Sequence, residues 1–299
     1  MQELDRAGIP FVYEPEISVE QIENYLENGI GGIVIRSKMH MDQRRIELGA
    51  SLRLIARGGA GMDNVDEEFA KSKNIICVNA GEANSDAVGE HAIGMLLGLF
   101  HKIRKGDAEV RNKIWDREGN RGLELKGKTV GIIGFGNTGS AVAKKLSGFE
   151  VNILAYDKFK SGFGNAYVRE TNLANIFESA DILTIHIPLD SHTKLMVNSE
   201  FIHSFVRNIF LLNLSRGGIV KTKDVLDAMK TGKILGFAAD VLEHENPRGM
   251  GDTERAWFEE LIARDDVLLT PHVAGWTKES YEKISAVLAQ KICAEWPRL

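Results

Sequence analysis

Cysteine and proline are scarce in this 299-residue chain, and it has neither an excess of basic charge nor a long apolar run. Cys77 and Cys293 are too few for a disulfide framework or a four-cysteine zinc site, which points to a reducing, cytoplasmic setting. The most continuous apolar stretch, Ala92 to Phe100, is far shorter than the roughly 20 residues a membrane span needs. The opening MQELDRAGIP carries neither the basic nor the apolar region of a secretory signal. A formal net charge of −5 removes the electrostatic case for a nucleic acid or a membrane surface as partner. What the chain does have is 43% hydrophobic and 26% charged residues, an ordinary globular balance. Its length suggests two domains at about 150 residues each. Thirty glycines against six prolines fit many tight strand-to-helix turns.

Short apolar runs alternate with longer amphipathic stretches, the pattern of α/β units on parallel sheets. Strands are expected at Ile9–Tyr13, Gly32–Ile35, Leu52–Ala56 and Ile75–Val78, with helices at Val19–Asn28, Asp42–Leu48 and Asp66–Lys71 between them. One long helix is expected from Ala83 to Lys105. A polar stretch then leads into six further strands: Thr129–Gly134, Val151–Tyr156, Asp181–Ile187, Ile209–Leu214, Ile234–Ala239 and Val267–Thr270. Six strands separated by helices make a full dinucleotide-binding sheet. The last helical pattern, Lys278–Glu295, follows that sheet and is expected to return to the first domain. The domains are therefore 1–83 with 276–299, and 84–275. The chain begins within a helical pattern, Met1–Gly8, so the strand that ordinarily precedes such a helix is expected to be missing.

Gly134-Phe-Gly136-Asn137-Thr138-Gly139 is a GxGxxG directly after a β-branched strand and directly before a helix. The first glycine permits the turn, the second lets backbone approach a pyrophosphate, and the third allows close helix–strand packing. The N–H groups around Asn137 and Thr138, at the helix start, then face the phosphates. Asp157 ends the next strand, about 20 residues on, where a carboxylate takes the ribose hydroxyls and repels a 2′-phosphate. These residues point to NAD rather than NADP; the competing explanation is a glycine-rich turn followed by a surface aspartate.

Ligands of open parallel sheets bind beyond the carboxyl ends of the strands. Three ionisable residues emerge there: Arg216 after Ile209–Leu214, Glu245 after Ile234–Ala239, and His272 after Val267–Thr270. A guanidinium can clamp a substrate carboxylate bidentately. A histidine titrates in the range needed to exchange a hydroxyl proton, and a carboxylate behind it raises its pKa. Taken singly, Arg216 reads as a surface or capping residue, His272 as a satisfied strand-end residue and Glu245 as part of a solvated loop. The run Glu243-His244-Glu245 also admits a metal site, but its neighbours point in different directions and no HExxH spacing exists. No metal is expected.

These segments resemble the D-isomer-specific 2-hydroxyacid dehydrogenases, and among them the short phosphoglycerate-dehydrogenase-like members. The resemblance covers nearly the whole chain. It runs through Ile33–Ser37, Arg57–Asn64, Gly89-Glu-His91, the GxGxxG, His186–Leu189, Asn213–Gly218, Asp240–Glu245 and Pro271–Thr277. It implies a Rossmann NAD-binding domain, a flavodoxin-like substrate domain and an active site in the cleft between them. By resemblance Arg216 is the substrate clamp, His272 the acid/base, Glu245 its partner and Asp240 the nicotinamide-side aspartate. His186 and Pro188 would wall the adenine pocket, and the backbone at Ala60 and Gly61 would hold the substrate carboxylate. Arg36 and Arg57, at carboxyl ends of strands, look like phosphate contacts, which makes D-3-phosphoglycerate, the substrate of a step in serine biosynthesis, the leading candidate. A homodimer is implied, with the arm Ala83–Arg121 at the interface and Trp115 as an anchor.

Gly89 stands where alanine is usual, and Glu245 is followed by Asn246 rather than by proline. The chain ends soon after its last helix, so no regulatory domain is expected. A formate dehydrogenase shares this fold but has glutamine where Glu245 stands. A non-catalytic NAD-sensing corepressor-type dimer can keep the whole triad, and turnover is what separates the two.

Overall fold

Alternating parallel strands and helices build two compact units, Met1–Asn84 with Thr277–Leu299, and Ser85–Trp276. The computed structural model describes residues 2–298.

In the first unit, α1 (Gln2–Arg6) precedes α2 (Val19–Glu27), β1 (Gly32–Ile35), α3 (Gln43–Leu48), β2 (Leu54–Arg57), α4 (Glu67–Ser72) and β3 (Ile76–Asn79). Side-chain oxygens start α2, α3 and α4. Ser18 and Gln21 form a reciprocal capping box on α2, while Asp42 and Asp66 accept the orphan N–H groups of α3 and α4. The three strands are parallel in the order β1-β2-β3. Leu26, Ile35, Met41, Ile46, Leu52, Ile55 and Ala70 form the core beneath α2, α3 and α4. The strand expected at Ile9–Tyr13 does not form. Ile9 is buried and its N–H bonds the Leu4 carbonyl, but Phe11, Val12 and Tyr13 are exposed and pair with none of the described strands. β-propensity alone cannot hold a strand without a neighbour to satisfy its ladder. Met1, where the opening helical pattern begins, lies outside the described residues.

The second unit opens with α5 (Ser85–Phe100) and α6 (Ile103–Arg111). The single helix expected from Ala83 to Lys105 is thus two. Lys102 adopts a left-handed conformation (φ 51°), and its ammonium donates to the Gly119 carbonyl at 2.9 Å. Leu123 N–H bonds the Phe100 carbonyl at 3.0 Å, so the returning arm takes an acceptor that a continuing helix would have used.

There follow β4 (Thr129–Ile133), α7 (Asn137–Leu146), β5 (Asn152–Tyr156), β6 (Val168–Glu170), α8 (Leu173–Ser179), β7 (Ile182–Ile185) and α9 (Ser199–His203). Then come β8 (Ile209–Asn213), α10 (Thr222–Lys230), β9 (Ile234–Ala239), α11 (Asp252–Ile262) and β10 (Val267–Leu269). The strands are all parallel, in the order β10-β9-β8-β7-β4-β5-β6. The sheet therefore has seven strands, not six. β6 escapes a periodicity argument because it is three residues long at the sheet edge, with only Val168 turned inward. On one face Val88, Ala92, Met95, Leu99 and Phe100 of α5 pack with Val130, Ile132, Phe210 and Leu212. On the other, Ile176, Ile202, Phe205 and Leu226 cover Leu183, Ile185 and Leu211. At Gly89 an added Cβ would sit 3.2 Å from the Ala141 backbone, so the glycine found there lets α5 lie close on α7.

The chain closes with α12 (Lys278–Glu295), capped by Thr277. It belongs to the first unit, where Leu288 and Ile292 bury against Leu54 and Ala56, and Lys291 bonds the Asn79 carbonyl at 2.8 Å. No helix among the described residues is long and apolar enough to cross a membrane.

Candidate active site

Two of the three motif glycines are demanded by the fold itself. Gly134 has φ +92°, and a Cβ there would collide with the His186 carbonyl. A Cβ on Gly139 would collide with the Gly134 carbonyl as α7 crosses the end of β4. Gly136 is different: a Cβ there would meet nothing within 4 Å, so the protein's own packing does not require the glycine. The open space above Gly136, at the start of α7, is where a phosphate would approach the helix N–H groups. Asn137 is exposed and Thr138 half-buried in that first turn. The residues present therefore fit a dinucleotide.

Asp157 follows β5 and faces the glycine loop. Its Oδ2 accepts the Phe135 N–H at 2.8 Å, and its Oδ1 accepts the N–H groups of Phe159 (2.9 Å) and Lys160 (3.1 Å). These three bonds hold the carboxylate at the strand end. A carboxylate has about four acceptor positions, so capacity for a ribose hydroxyl remains. His186 follows β7, and its ring turns into the protein rather than outward. Nε2 lies 2.8 Å from Thr184 Oγ1, Nδ1 has no partner, and burial pushes the pKa down to about 4. What His186 offers the glycine loop is its backbone. Pro188 is exposed, and its carbonyl accepts the Thr193 hydroxyl at 2.7 Å.

The ionisable residues expected at the sheet edge lie beyond β8, β9 and β10. Arg216 is half-buried, and its Nη1 donates to the Ser215 carbonyl at 2.7 Å. The turn that carries it is clamped by Asn213, fully buried, which donates to the Arg216 carbonyl (3.0 Å) and accepts from the Ser215 N–H and hydroxyl. His272 lies past β10 with φ +55°, a left-handed conformation that non-glycine residues adopt at a cost of about 1–2 kcal/mol. Its Nδ1 lies 3.0 Å from Glu245 Oε2. The Glu245 hydrogen bond and charge hold the imidazole pKa above its ordinary value, against burial and the Arg216 charge. Because a carboxylate only accepts, Nδ1 carries the hydrogen and Nε2 is left to exchange a proton. Glu243, two residues before Glu245, instead accepts the Thr222 N–H at 3.0 Å and so caps α10.

Asp240, expected beside the nicotinamide, is buried, with its oxygens turned to the protein. Oδ1 accepts the Thr270 hydroxyl (2.6 Å) and the Val273 N–H (2.9 Å), and Oδ2 accepts the Ala274 N–H (2.9 Å). The residues that the sequence did not single out are Asn213 and Thr270. Their one signal is a polar side chain at the end of an otherwise apolar strand.

The remaining expected residues lie in the first unit. Arg36, exposed after β1, places its guanidinium 5.4 Å from the Tyr281 ring centroid. Arg57 ends β2 and is half-buried, its guanidinium lying against Gly59. The loop holding Ala60 and Gly61 is tied to β3, the Gly59 carbonyl accepting the Ala80 N–H (2.9 Å) and the Ala60 carbonyl accepting Asn79 Nδ2 (2.7 Å).

Residues 93–274 match the family described as D-isomer specific 2-hydroxyacid dehydrogenase, NAD binding domain. The chain is 33% identical over 262 residues to a D-3-phosphoglycerate dehydrogenase of Archaeoglobus fulgidus, covering 87% of this chain and 48% of that protein. It thus spans about half the length of such curated relatives. It is also 33% identical over 263 residues to a hydroxypyruvate reductase of Thermotoga maritima, covering 88% of this chain and 84% of the relative. Among solved structures, it is similar to an NAD-dependent formate dehydrogenase from Staphylococcus aureus in complex with NAD. That likeness has a TM-score of 0.78, with 26% identity over 98% of this chain and 86% of that one.

Proposed function

This chain belongs to the D-isomer specific 2-hydroxyacid dehydrogenase family, and on that premise we propose that it interconverts a D-2-hydroxy acid and its 2-keto acid with NAD. One observation carries the reading: His272, bonded through Nδ1 to Glu245 at 3.0 Å, stands at the same strand ends as Arg216. NAD, when bound, supplies the carbon that takes up or returns the hydride. Arg216 binds the substrate carboxylate through its fork of donors. His272 holds the proton at Nε2, gives it to the keto oxygen on reduction and takes it from the hydroxyl on oxidation. Glu245 keeps the ring's tautomer fixed and its protonated form populated. Asp157 favours NAD over NADP by its charge.

The substrate we propose is D-3-phosphoglycerate and its keto form, with Arg36 and Arg57 as phosphate donors and the Ala60–Gly61 backbone for the carboxylate. Identity to D-3-phosphoglycerate dehydrogenases supports this. The relatives named as hydroxypyruvate and glyoxylate reductases mark the competing substrates. The proposed assembly is a homodimer through the arm 83–121, where Ile103, Val110, Ile114 and Trp115 are exposed.

A panel of 2-keto acids followed by NADH oxidation tests the assignment. The phosphorylated keto acid should show the highest kcat/KM. Arg36→Ala and Arg57→Ala should each raise its KM about tenfold or more, and that of glyoxylate less than about twofold. Equal effects on all substrates would reduce Arg57 to a brace for Gly59 and remove the phosphate assignment. No turnover of any keto acid by the wild type would overturn the enzyme reading.

A further inference from the structure

His91, on α5, belongs to the Gly89-Glu90-His91 segment, and the proposed reaction gives it no role. Its Nε2 lies 3.0 Å from Thr270 Oγ1 and 3.7 Å from Asp240 Oδ1. Threonine has a single hydroxyl proton. Asp240 Oδ1, at 2.6 Å, takes it in preference to Met95 Sδ at 3.8 Å. The hydroxyl lone pairs are thus left to His91, which must present Nε2–H as donor. The chain of bonds continues from there. The same Asp240 carboxylate receives the N–H groups of Val273 and Ala274, and the Asp240 carbonyl receives the His272 N–H at 2.7 Å. Those bonds bracket the one residue of the segment with positive φ, His272.

We propose that His91 is a positioning residue. Through Thr270 it fixes the Asp240 carboxylate, which pins Val273 and Ala274 and so holds His272 in the left-handed conformation from which Nδ1 reaches Glu245. A helix on one face of the sheet thereby sets the backbone of a loop beyond its edge. This rests on the acid/base role proposed for His272 only where turnover is measured.

Amide hydrogen exchange on the protein without substrate or cofactor tests the link directly. In His91→Leu the Val273 and Ala274 amides should exchange about tenfold faster or more, while amides of β4 keep their protection. His91→Gln retains an N–H donor and should restore slow exchange. In turnover, His91→Leu should lower kcat for keto-acid reduction about tenfold and leave KM for NADH within about twofold. It should also move the high-pH limb of reduction to lower pH, because His272 loses Glu245 while the other charged groups facing it, Arg216 and Asp240, remain. His91→Gln should recover both. A role in packing alone would change thermal stability without moving that limb. If His91→Leu does not fold, Thr270→Val breaks the same link and should give the same exchange and the same limb. Unchanged exchange at Val273 and Ala274, or a glutamine variant no better than leucine, overturns the proposal. A wild type without turnover would instead remove the proposed function, and the exchange result would still decide the role of His91.

Discussion

At the residue scale, the His272–Glu245 pair makes the sharpest demand on experiment. The pKa of His272 is raised, first of all by its hydrogen bond to Glu245. Reduction needs the protonated ring, so its rate should hold at low pH and fall as pH rises through that raised value. Glu245→Gln keeps an acceptor for Nδ1–H but removes the charge, so the limb should move to lower pH. His272→Ala should keep NADH affinity and lose about 10²- to 10⁴-fold in turnover. A pH–rate series on the three proteins checks both; an unshifted limb in Glu245→Gln would sink the pairing. The residue types were legible in the sequence because each follows an apolar strand. Their hydrogen bonds were not, since Nδ1 of His272 meets Glu245, 27 positions away in the chain, only once the chain folds back. His186 shows the same limit. Its place after β7 can be read from the sequence, but the inward turn of its ring toward Thr184 depends on the packing of the sheet.

At the element scale, the turn from β4 into α7 separates two uses of glycine. Gly139 is required by the Gly134 carbonyl, so Gly139→Ala forces backbone apart and should cost about 1–3 kcal/mol. A fall in Tm of about 3 °C or more is then expected. Gly136→Ala meets open space and should leave Tm of the cofactor-free protein within about 1 °C while weakening NADH at least about tenfold, or 1.4 kcal/mol. Thermal melts beside NADH titrations of the two variants would separate these roles; a stable Gly139→Ala would contradict the close packing of α7 on β4. The long strands of the second unit could be read from their β-branched runs. β6 could not, having one buried residue, and neither could the break at Lys102, which a distant carbonyl at Gly119 and the returning Leu123 stabilise. Ile9–Tyr13 failed in the opposite sense, with strand-forming residues that pair with none of the described strands.

At the scale of the whole molecule, the proposed dimer is tested at Trp115, whose side chain is 80% exposed on the arm. Sedimentation of the wild type should give a species of twice 33.1 kDa. Trp115→Glu should weaken association by about 30-fold or more, the effect of losing a central aromatic anchor worth about 2 kcal/mol. A monomeric wild type would remove the dimer. The sequence by itself determined the α/β class, the parallel order of strand and helix, the glycine loop and the residue types at the strand ends. Each of these follows from local periodicity or from a motif whose spacing is short. Tertiary structure alone decided which glycine is structural and which leaves room for a ligand, that Glu243 caps α10 while Glu245 reaches His272, and that His91, Thr270 and Asp240 share one chain of hydrogen bonds. Those outcomes depend on contacts between residues far apart in the chain, and no local pattern of side chains encodes such distances.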